Sequence, residues 1–173
     1  MKLYAYVGLL CLALAQTDLY TLPLQGAPLK TDAEALAYCE KTPNTYIVIV
    51  WPKGYSHLGY IAKKLNQHGS VKYIKKLVVN KSTMFALYRD VHTDMSRTNA
   101  KKYFKPYTAA SARESLPIAA LVFHTNASLQ EIVALKRAIR DFIGEGYFSI
   151  HINDHYDPET LEAAHALFKK ESV

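Results

Sequence analysis

The chain has 173 residues, of which 50% are hydrophobic and 21% are charged. This length and composition are typical of one globular domain and exclude an intrinsically disordered chain. Twenty-one Lys and Arg against fifteen Asp and Glu give a formal net charge of +6, which favours a phosphate-containing or acidic ligand. The thirteen tyrosines do not make nucleic acid the expected partner, because tyrosine is equally a core and strand residue.

The first fifteen residues have the organisation of a secretory signal peptide. Lys2 provides a basic start, an apolar run extends from Leu3 to Ala15, and Ala13-Leu14-Ala15 resembles a cleavage site before Gln16. The run is shorter than the ~20 apolar residues of a transmembrane helix. We therefore predict a secreted protein without a membrane span in its mature chain. The alternative is that this run is a buried first element of a cytosolic protein.

Cysteine and glycosylation patterns follow from that prediction. Cleavage after Ala15 removes Cys11 and leaves Cys39 alone, which excludes an internal disulfide framework. The triplets that begin at Asn80 and Asn126 are N-glycosylation sequons, and they predict a glycoprotein if the chain enters a eukaryotic secretory pathway.

The first half of the mature chain predicts one helix and then a strand-turn-helix unit. Residues 16–30 lack a sustained period and are predicted to be an extended lead-in, followed by a short helix at about 31–39. The continuous apolar run from Tyr46 to Trp51 predicts a strand buried on both faces, as in parallel sheets. Apolar residues at helical spacing from Leu58 to Leu65 predict the helix that follows.

The second half repeats this alternation. Strands are predicted near 71–79, 117–123 and 147–152, with a helix beginning at Ser82, an irregular segment from His92 to Ser115, and two further helices. A capping box of Ser128 and Glu131 begins the first of these helices, and Asp157 caps the last. Residues 31–173 are therefore predicted to form a single three-layer α/β domain, with flanking helices and a mainly parallel sheet of about four strands.

A polar turn follows the last predicted strand and is the best candidate site in the sequence. It contains His151, Asn153, Asp154 and His155 at the carboxyl end of a strand, where open parallel α/β sheets bind ligands. We predict His151 and Asp154 as a catalytic acid, base or ligand pair, and His155 as a substrate-binding residue.

Four other residues are predicted to bind the substrate. Lys53 lies in the turn after the first strand and His124 ends the third strand, so a parallel sheet would bring both to one edge. Lys136 and Arg140 are one helical turn apart and could hold an anion jointly.

These histidines and Asp154 also suggest two more specific kinds of site. His124 and His151 invite comparison with two-histidine phosphoesterases, but the second copy lacks the required hydroxyl and only 27 positions separate the two. A metal site is the other interpretation, but the order of His151, Asp154 and His155 does not match a metallo-hydrolase ligand run. We therefore predict no metal site, and the sequence identifies no cofactor.

A family resemblance adds to this interpretation. The segments K-R-A-I-R from Lys136 and S-I-H-I-N-D-H-Y-D-P-E-T-L-E-A-A-H-A-L-F from Ser149, with Y-I-V-I-V-W-P-K-G-Y from Tyr46, resemble a group of nucleotidyltransferase-like proteins. The likeness covers Tyr46 to Phe168 and is specific from Lys136 onward. Such proteins need a set of metal-binding carboxylates, and no closely spaced D-x-D is present, so the resemblance implies a substrate-holding scaffold without the catalytic acids.

The functional expectation is a phosphate- or nucleotide-handling protein, either nucleotidyltransferase-like or a catalytically degenerate relative. The alternative is a secreted, non-enzymatic interaction module whose polar turn is structural. The sequence does not decide whether the protein is an enzyme, and it contains no indication of the oligomeric state.

Overall fold

The computed structural model describes residues 27–80, 87, 115–153 and 159–169, which include four strands and four α-helices. In chain order these are α1 (Asp32–Lys41), β1 (Thr45–Val50), α2 (Leu58–Asn66), β2 (Ser70–Val79), β3 (Leu116–His124), α3 (Leu129–Ile143), β4 (Ile150–Ile152) and α4 (Glu159–Phe168). Short 3₁₀ helices, Pro52–His57 and Gly146–Phe148, precede α2 and β4.

Several predicted features lie outside the described residues. These are the signal peptide at 1–15, most of the lead-in at 16–30, the helix beginning at Ser82 and nearly all of the segment from His92 to Ser115. Each of these stays a prediction.

Local sequence signals account for the ends of two helices. Thr31 and Glu34 form a capping box at the start of α1, and Ser128 and Glu131 form the predicted one at the start of α3. Gly144 ends α3 at φ 77°, a left-handed conformation that favours glycine. These signals fix where α3 begins and ends.

The prediction of a mainly parallel sheet is wrong, because every described strand pair is antiparallel. The strand order is β2-β3-β1-β4. Since β1 and β2 both run opposite to β3, they run in the same direction, and α2 connects them as a βαβ unit requires. However, β3 lies between β1 and β2, and β1 lies between β3 and β4. The predicted alternation is confirmed for the units β1-α2-β2 and β3-α3-β4, but the two strands of each unit are separated by an inserted antiparallel strand.

This topology is a split βαβ arrangement, which belongs to the α+β class. Side chains of α2 and α3 pack on one face of the sheet, whereas side chains of α1 and α4 pack on the other. The carboxyl ends of β1 and β2 therefore lie at one end of the strands, and those of β3 and β4 lie at the opposite end. Contrary to the prediction, the carboxyl ends of all four strands do not meet on one side of the sheet.

The central strand β1 shows why its sequence resembles a parallel strand. Alternate residues Ile47 and Ile49 pack towards α1 and α4, whereas Val48 and Val50 pack towards α2 and α3. All six residues of β1 are buried. Helices on both faces of an antiparallel sheet thus produce the continuous apolar run that usually indicates a parallel strand.

No helix in the described part of the chain has the length and apolar character needed to cross a bilayer. This agrees with the predicted lack of a membrane span as far as the described residues extend.

Candidate functional site

A polar cleft lies where β3 ends. Because the sheet is antiparallel, the end of β3 meets the beginnings of both neighbouring strands, and His124 pairs with Thr45 of β1 and Ser70 of β2. The turn from α2 into β2 and the turn from β3 into α3 therefore lie side by side. We call the space between them the histidine cleft.

The histidine cleft has a volume of about 530 Å³. Its lining is mostly polar and comes from two stretches of chain and the first turn of α3: Gln67, His68, Gly69, Ser70, His124, Thr125, Asn126, Ala127 and Glu131. The side chains of these residues include two imidazoles, two amides and two hydroxyls, of which the Thr125 hydroxyl is buried.

Thr125 holds the walls of the cleft together. Its buried hydroxyl donates to the backbone carbonyl of His68 and accepts a hydrogen bond of 3.1 Å from the backbone N–H of Ala127. Its own backbone N–H donates to the carbonyl of Asn44 at 3.0 Å. One threonine thus joins the α2–β2 turn, the end of β3 and the start of α3, which makes the cleft a pre-formed feature of the fold.

Gly69 is required by the close approach of these walls. A Cβ atom at this position would lie 2.7 Å from Thr125 Cβ and 2.8 Å from Phe123 Cε2, and it would overlap the carbonyl oxygen of His124. Any larger residue would therefore push the two turns apart. The absence of a side chain at Gly69 sets the width of the cleft.

His124 is the predicted residue that lies in the cleft. Its ring packs edge-on against Tyr38 of α1, with the ring centroids 6.2 Å apart. Its Nδ1 atom is buried and has no hydrogen-bond partner within the described structure. A buried lone pair is better tolerated than a buried N–H without an acceptor, so the neutral ring is expected to carry its proton on Nε2. Nε2 is then the nitrogen left to donate to a ligand.

Glu131 is the acidic residue that lines the cleft, and its carboxylate already accepts hydrogen bonds from Ser128. Its carboxylate accepts hydrogen bonds from the backbone N–H of Ser128 at 2.7 Å and from the Ser128 hydroxyl at 2.8 Å. The backbone bond lowers the pKa of Glu131 most, the hydroxyl bond contributes next, and nearby His68 contributes less. The carboxylate therefore completes the N-terminus of α3.

Lys53 and Arg140 lie at the other end of α3, away from His124. Lys53 forms an exposed ion pair with Glu145 at 3.4 Å. Arg140 donates from Nε and Nη2 to the carbonyl oxygen of Ile150, at 3.2 Å and 3.0 Å, and its guanidinium lies 4.5 Å from the ring centre of Tyr147. Arg140 is thus engaged with β4.

Lys136 lies one turn before Arg140 on α3 and is buried, although it was predicted to hold an anion jointly with Arg140. The structure therefore does not bring Lys136 or Arg140 to the histidine cleft.

His151 is buried in β4, opposite Ile49 of β1. Ile150 and Ile152 pack towards α2 and α3, so by strand alternation His151 points to the side of α1 and α4. Its register partner on β1 is four residues away from that of His124, which is roughly 13 Å along the strand. The two histidines do not form a pair. Asp154 and His155 lie outside the described residues.

Asn153, from the predicted polar turn, has a structural role. Its Oδ1 accepts from the backbone N–H of Ile47 at 2.7 Å, and its Nδ2 donates to the hydroxyl of Thr160 at 2.8 Å. Thr160 in turn donates to the carbonyl of Thr45 at 2.6 Å. This buried network fastens α4 to β1, so at least one polar residue of the turn stabilises the fold.

His68 and Ser70 line the cleft but were not predicted from the sequence. His68 lies in the short connection after α2 and Ser70 is the first residue of β2. Neither belongs to a recognisable spacing motif, and a parallel arrangement would have separated them from the end of β3. Only the antiparallel register between β2 and β3 brings them to His124.

No group of three His, Cys, Asp or Glu side chains within residues 27–80, 115–153 and 159–169 is close enough to hold a metal ion. The chain matches no protein-family model, and comparison with curated proteins and with solved structures gives no match either.

Proposed function

We propose that the protein handles a phosphate-containing ligand, such as a nucleotide, and holds it in the histidine cleft. The observation that carries this proposal is the convergence of His68, Ser70 and His124 in one polar cleft. Imidazole N–H groups and hydroxyls donate hydrogen bonds to phosphate oxygens, and a protonated imidazole adds positive charge. The volume of about 530 Å³ lies in the usual range of small-molecule sites.

The charge of the whole chain supports an anionic ligand in this cleft. The protein carries a formal net charge of +6, which raises the local concentration of anions around it. Glu131 is the opposing charge, but its Oε2 atom accepts hydrogen bonds from the backbone N–H and the hydroxyl of Ser128. A ligand phosphate in the cleft therefore meets a carboxylate that is already hydrogen-bonded at the N-terminus of α3.

A binding role fits this cleft better than nucleotidyl transfer. Transfer chemistry in the class that the sequence resembles needs clustered carboxylates to hold metal ions, and Glu131 is the single carboxylate that lines the cleft among the described residues. We therefore favour a catalytically degenerate relative of nucleotidyltransferases. An acid–base role of His151 with Asp154 remains a prediction.

Isothermal titration with inorganic phosphate and with ATP, GTP and UTP tests the proposal. The His124→Ala and His68→Ala variants should weaken binding at least about tenfold each, since a hydrogen bond to a charged group contributes about 1.5–3 kcal/mol. The matched control is His165→Ala, an exposed histidine on α4 that pairs with Glu40. Equal affinity of wild type and His124→Ala, or no binding by wild type, would show the proposal to be wrong.

The alternative function, a secreted non-enzymatic interaction module, is favoured by a different observation. Strand β2 is at the edge of the described sheet and leaves Val78 72% exposed. An exposed apolar residue on a long edge strand suits contact with another protein.

Asn126 distinguishes the two functions. It lies in the wall of the histidine cleft and is the first residue of a glycosylation sequon, so a glycan there would obstruct the cleft. Mass spectrometry of protein from a eukaryotic secreting host would test both points. A chain that begins at Gln16 with a glycan on Asn126 would favour the interaction module, whereas an unmodified Asn126 leaves the cleft open for the ligand.

A further inference from the structure

Aromatic side chains collect at the end of the α2–α3 layer opposite the histidine cleft. His57 and Tyr60 come from the beginning of α2, whereas Phe142 and Tyr147 come from the end of α3 and the connection after it. Phe142 is 60% exposed and Tyr147 is 55% exposed. We call these four residues the aromatic surface. The separation of Glu131 from Phe142 along α3 is roughly 16 Å, so this surface is distinct from the cleft.

Phe142 presents an open ring face. The rings of Tyr60 and Phe142 stack with centroids 3.8 Å apart and an angle of 17° between their planes. His57 meets Phe142 edge-on, with centroids 6.2 Å apart. Tyr60 therefore covers one face of Phe142, and an exposure of 60% requires that much of the other face meets solvent. A flat ring with one supported face and one open face can stack a planar ligand.

Both cations and acids lie near these rings. Lys53 forms its ion pair with Glu145, three residues beyond Phe142, and Asp141 directly precedes Phe142. The Arg140 guanidinium lies over Tyr147. The ammonium group of Lys76 lies 5.7 Å from the ring centre of Tyr55, within the same neighbourhood of the 3₁₀ helix.

The sequence around Lys53 and Lys76 lacks acidic residues. From Lys41 to Arg89 the chain contains nine Lys and Arg and no Asp or Glu, although fifteen acidic residues occur in the whole chain. The whole of α2 and β2 belongs to this acid-free stretch. The aromatic surface is therefore bordered by positive charge on its α2 and β2 side, where it complements a polyanion, whereas Asp141 and Glu145 lie on its α3 side.

Two tyrosines belong to this surface. Six of the thirteen lie in the described part of the chain: Tyr46 is buried, Tyr147 is exposed, and the others are partly buried against the core (Tyr38, Tyr55, Tyr60 and Tyr73). Tyr60 and Tyr147 are the two at the aromatic surface, where Tyr60 supports one face of Phe142.

We infer that the aromatic surface binds single-stranded nucleic acid. One base stacks on the open face of Phe142, and the flanking phosphates contact Lys53 and Lys76. A duplex does not fit this arrangement, because its bases are already stacked on each other and their faces are unavailable. An acidic peptide would use the same lysines but would gain nothing from an open aromatic face. This inference does not rest on the proposed ligand of the histidine cleft.

Fluorescence anisotropy with a labelled single-stranded oligothymidylate of about twelve nucleotides tests the inference directly. The Phe142→Ala variant should bind about tenfold more weakly, within the range measured for loss of one base–aromatic stack. Phe142→Leu should lose nearly as much while it keeps an apolar side chain at this position. The matched control is Leu129→Ala, which truncates an exposed apolar residue at the opposite end of the same helix and should bind as wild type does.

Salt dependence and competition separate the alternatives. Lys53→Ala and Lys76→Ala should each reduce the slope of log affinity against log salt by about 0.7, as expected for one lost phosphate contact to a single strand. His165→Ala, which removes an exposed histidine on α4 outside both sites, should leave oligothymidylate binding unchanged. No binding, equal binding by Phe142→Leu and wild type, equal affinity for a duplex, or equally effective displacement by polyglutamate would each overturn the inference.

Discussion

Replacement of Asn153 with alanine is expected to destabilise the fold by about 2–4 kcal/mol. The side chain of Asn153 is buried, and its Oδ1 is the acceptor for the backbone N–H of Ile47 in the central strand. Alanine would leave that N–H buried without its acceptor, which costs about 1–3 kcal/mol. The bond from Nδ2 to Thr160 would also be lost, at about 0.5–1.5 kcal/mol, although Thr160 keeps its own bond to Thr45.

Urea denaturation followed by far-UV circular dichroism measures this change as a lower transition midpoint with an unchanged slope. Asn126→Ala is a suitable control, because the side chain of Asn126 is exposed and its bond with Asn44 lies at the surface. The control should lose less than about 0.5 kcal/mol. A loss below about 1 kcal/mol in Asn153→Ala would mean that the Asn153 network is not what fastens α4 to β1.

Three further predictions concern other parts of the fold. In Gly54→Ala, the new Cβ would lie 2.9 Å from the carbonyl carbon of Ser149, so we expect a loss of about 1–3 kcal/mol by urea denaturation, and wild-type stability would contradict the close packing of the 3₁₀ helix Pro52–His57 against Ser149. Burial raises the pKa of the Cys39 thiol to about 12, so in a chain lacking residues 1–15 a disulfide reagent at pH 8 should modify it only after unfolding, and rapid reaction of the native protein would contradict its burial. Hydrogen bonds from Ser128 lower the pKa of Glu131, so their stabilising effect is present above the ordinary pKa of a glutamate and is lost as the pH falls through the folded pKa. The difference in thermal midpoint between wild type and Ser128→Ala should therefore narrow from pH 7 to pH 3, and a constant difference would refute this account.

The sequence located most of the described strands and helices but did not arrange them, and the first half of the strand predicted at 147–152 is the 3₁₀ helix Gly146–Phe148. The apolar runs that contain β1 and β3 and the capping box of α3 are local signals, and they lie where the sequence analysis put them. Whether neighbouring strands run parallel or antiparallel depends instead on which strand lies between the two strands of a βαβ unit. That choice is made by tertiary packing of helices on both faces, for which no single segment carries a signal.

The candidate site likewise contains residues that the sequence could predict and residues that it could not. His124 could be selected from sequence because it follows a clear strand, but His68 became its neighbour only through the register of β2 against β3. From the sequence, Asn153 belongs to a candidate functional turn, because an Asn side chain can bind a ligand or hydrogen-bond to the backbone. In the structure Asn153 lies opposite Ile47, just after β4 has ended, and its side chain accepts the hydrogen bond from the backbone N–H of Ile47. Its role is therefore structural.

Arg140 occupies a backbone hydrogen-bond acceptor of β4, which is an edge strand of the described sheet. The bonds from Trp51 N–H to the carbonyl of Ser149 and from Asn153 N–H to the carbonyl of Ile47 face β1, so the carbonyl of Ile150 between them points outward. An outward carbonyl on an edge strand is where a strand of a second molecule would begin to pair. The guanidinium of Arg140 already occupies that acceptor, and an incoming backbone would have to displace a charge-assisted pair of hydrogen bonds. A residue first considered as a ligand clamp thereby protects this edge against intermolecular strand pairing and aggregation.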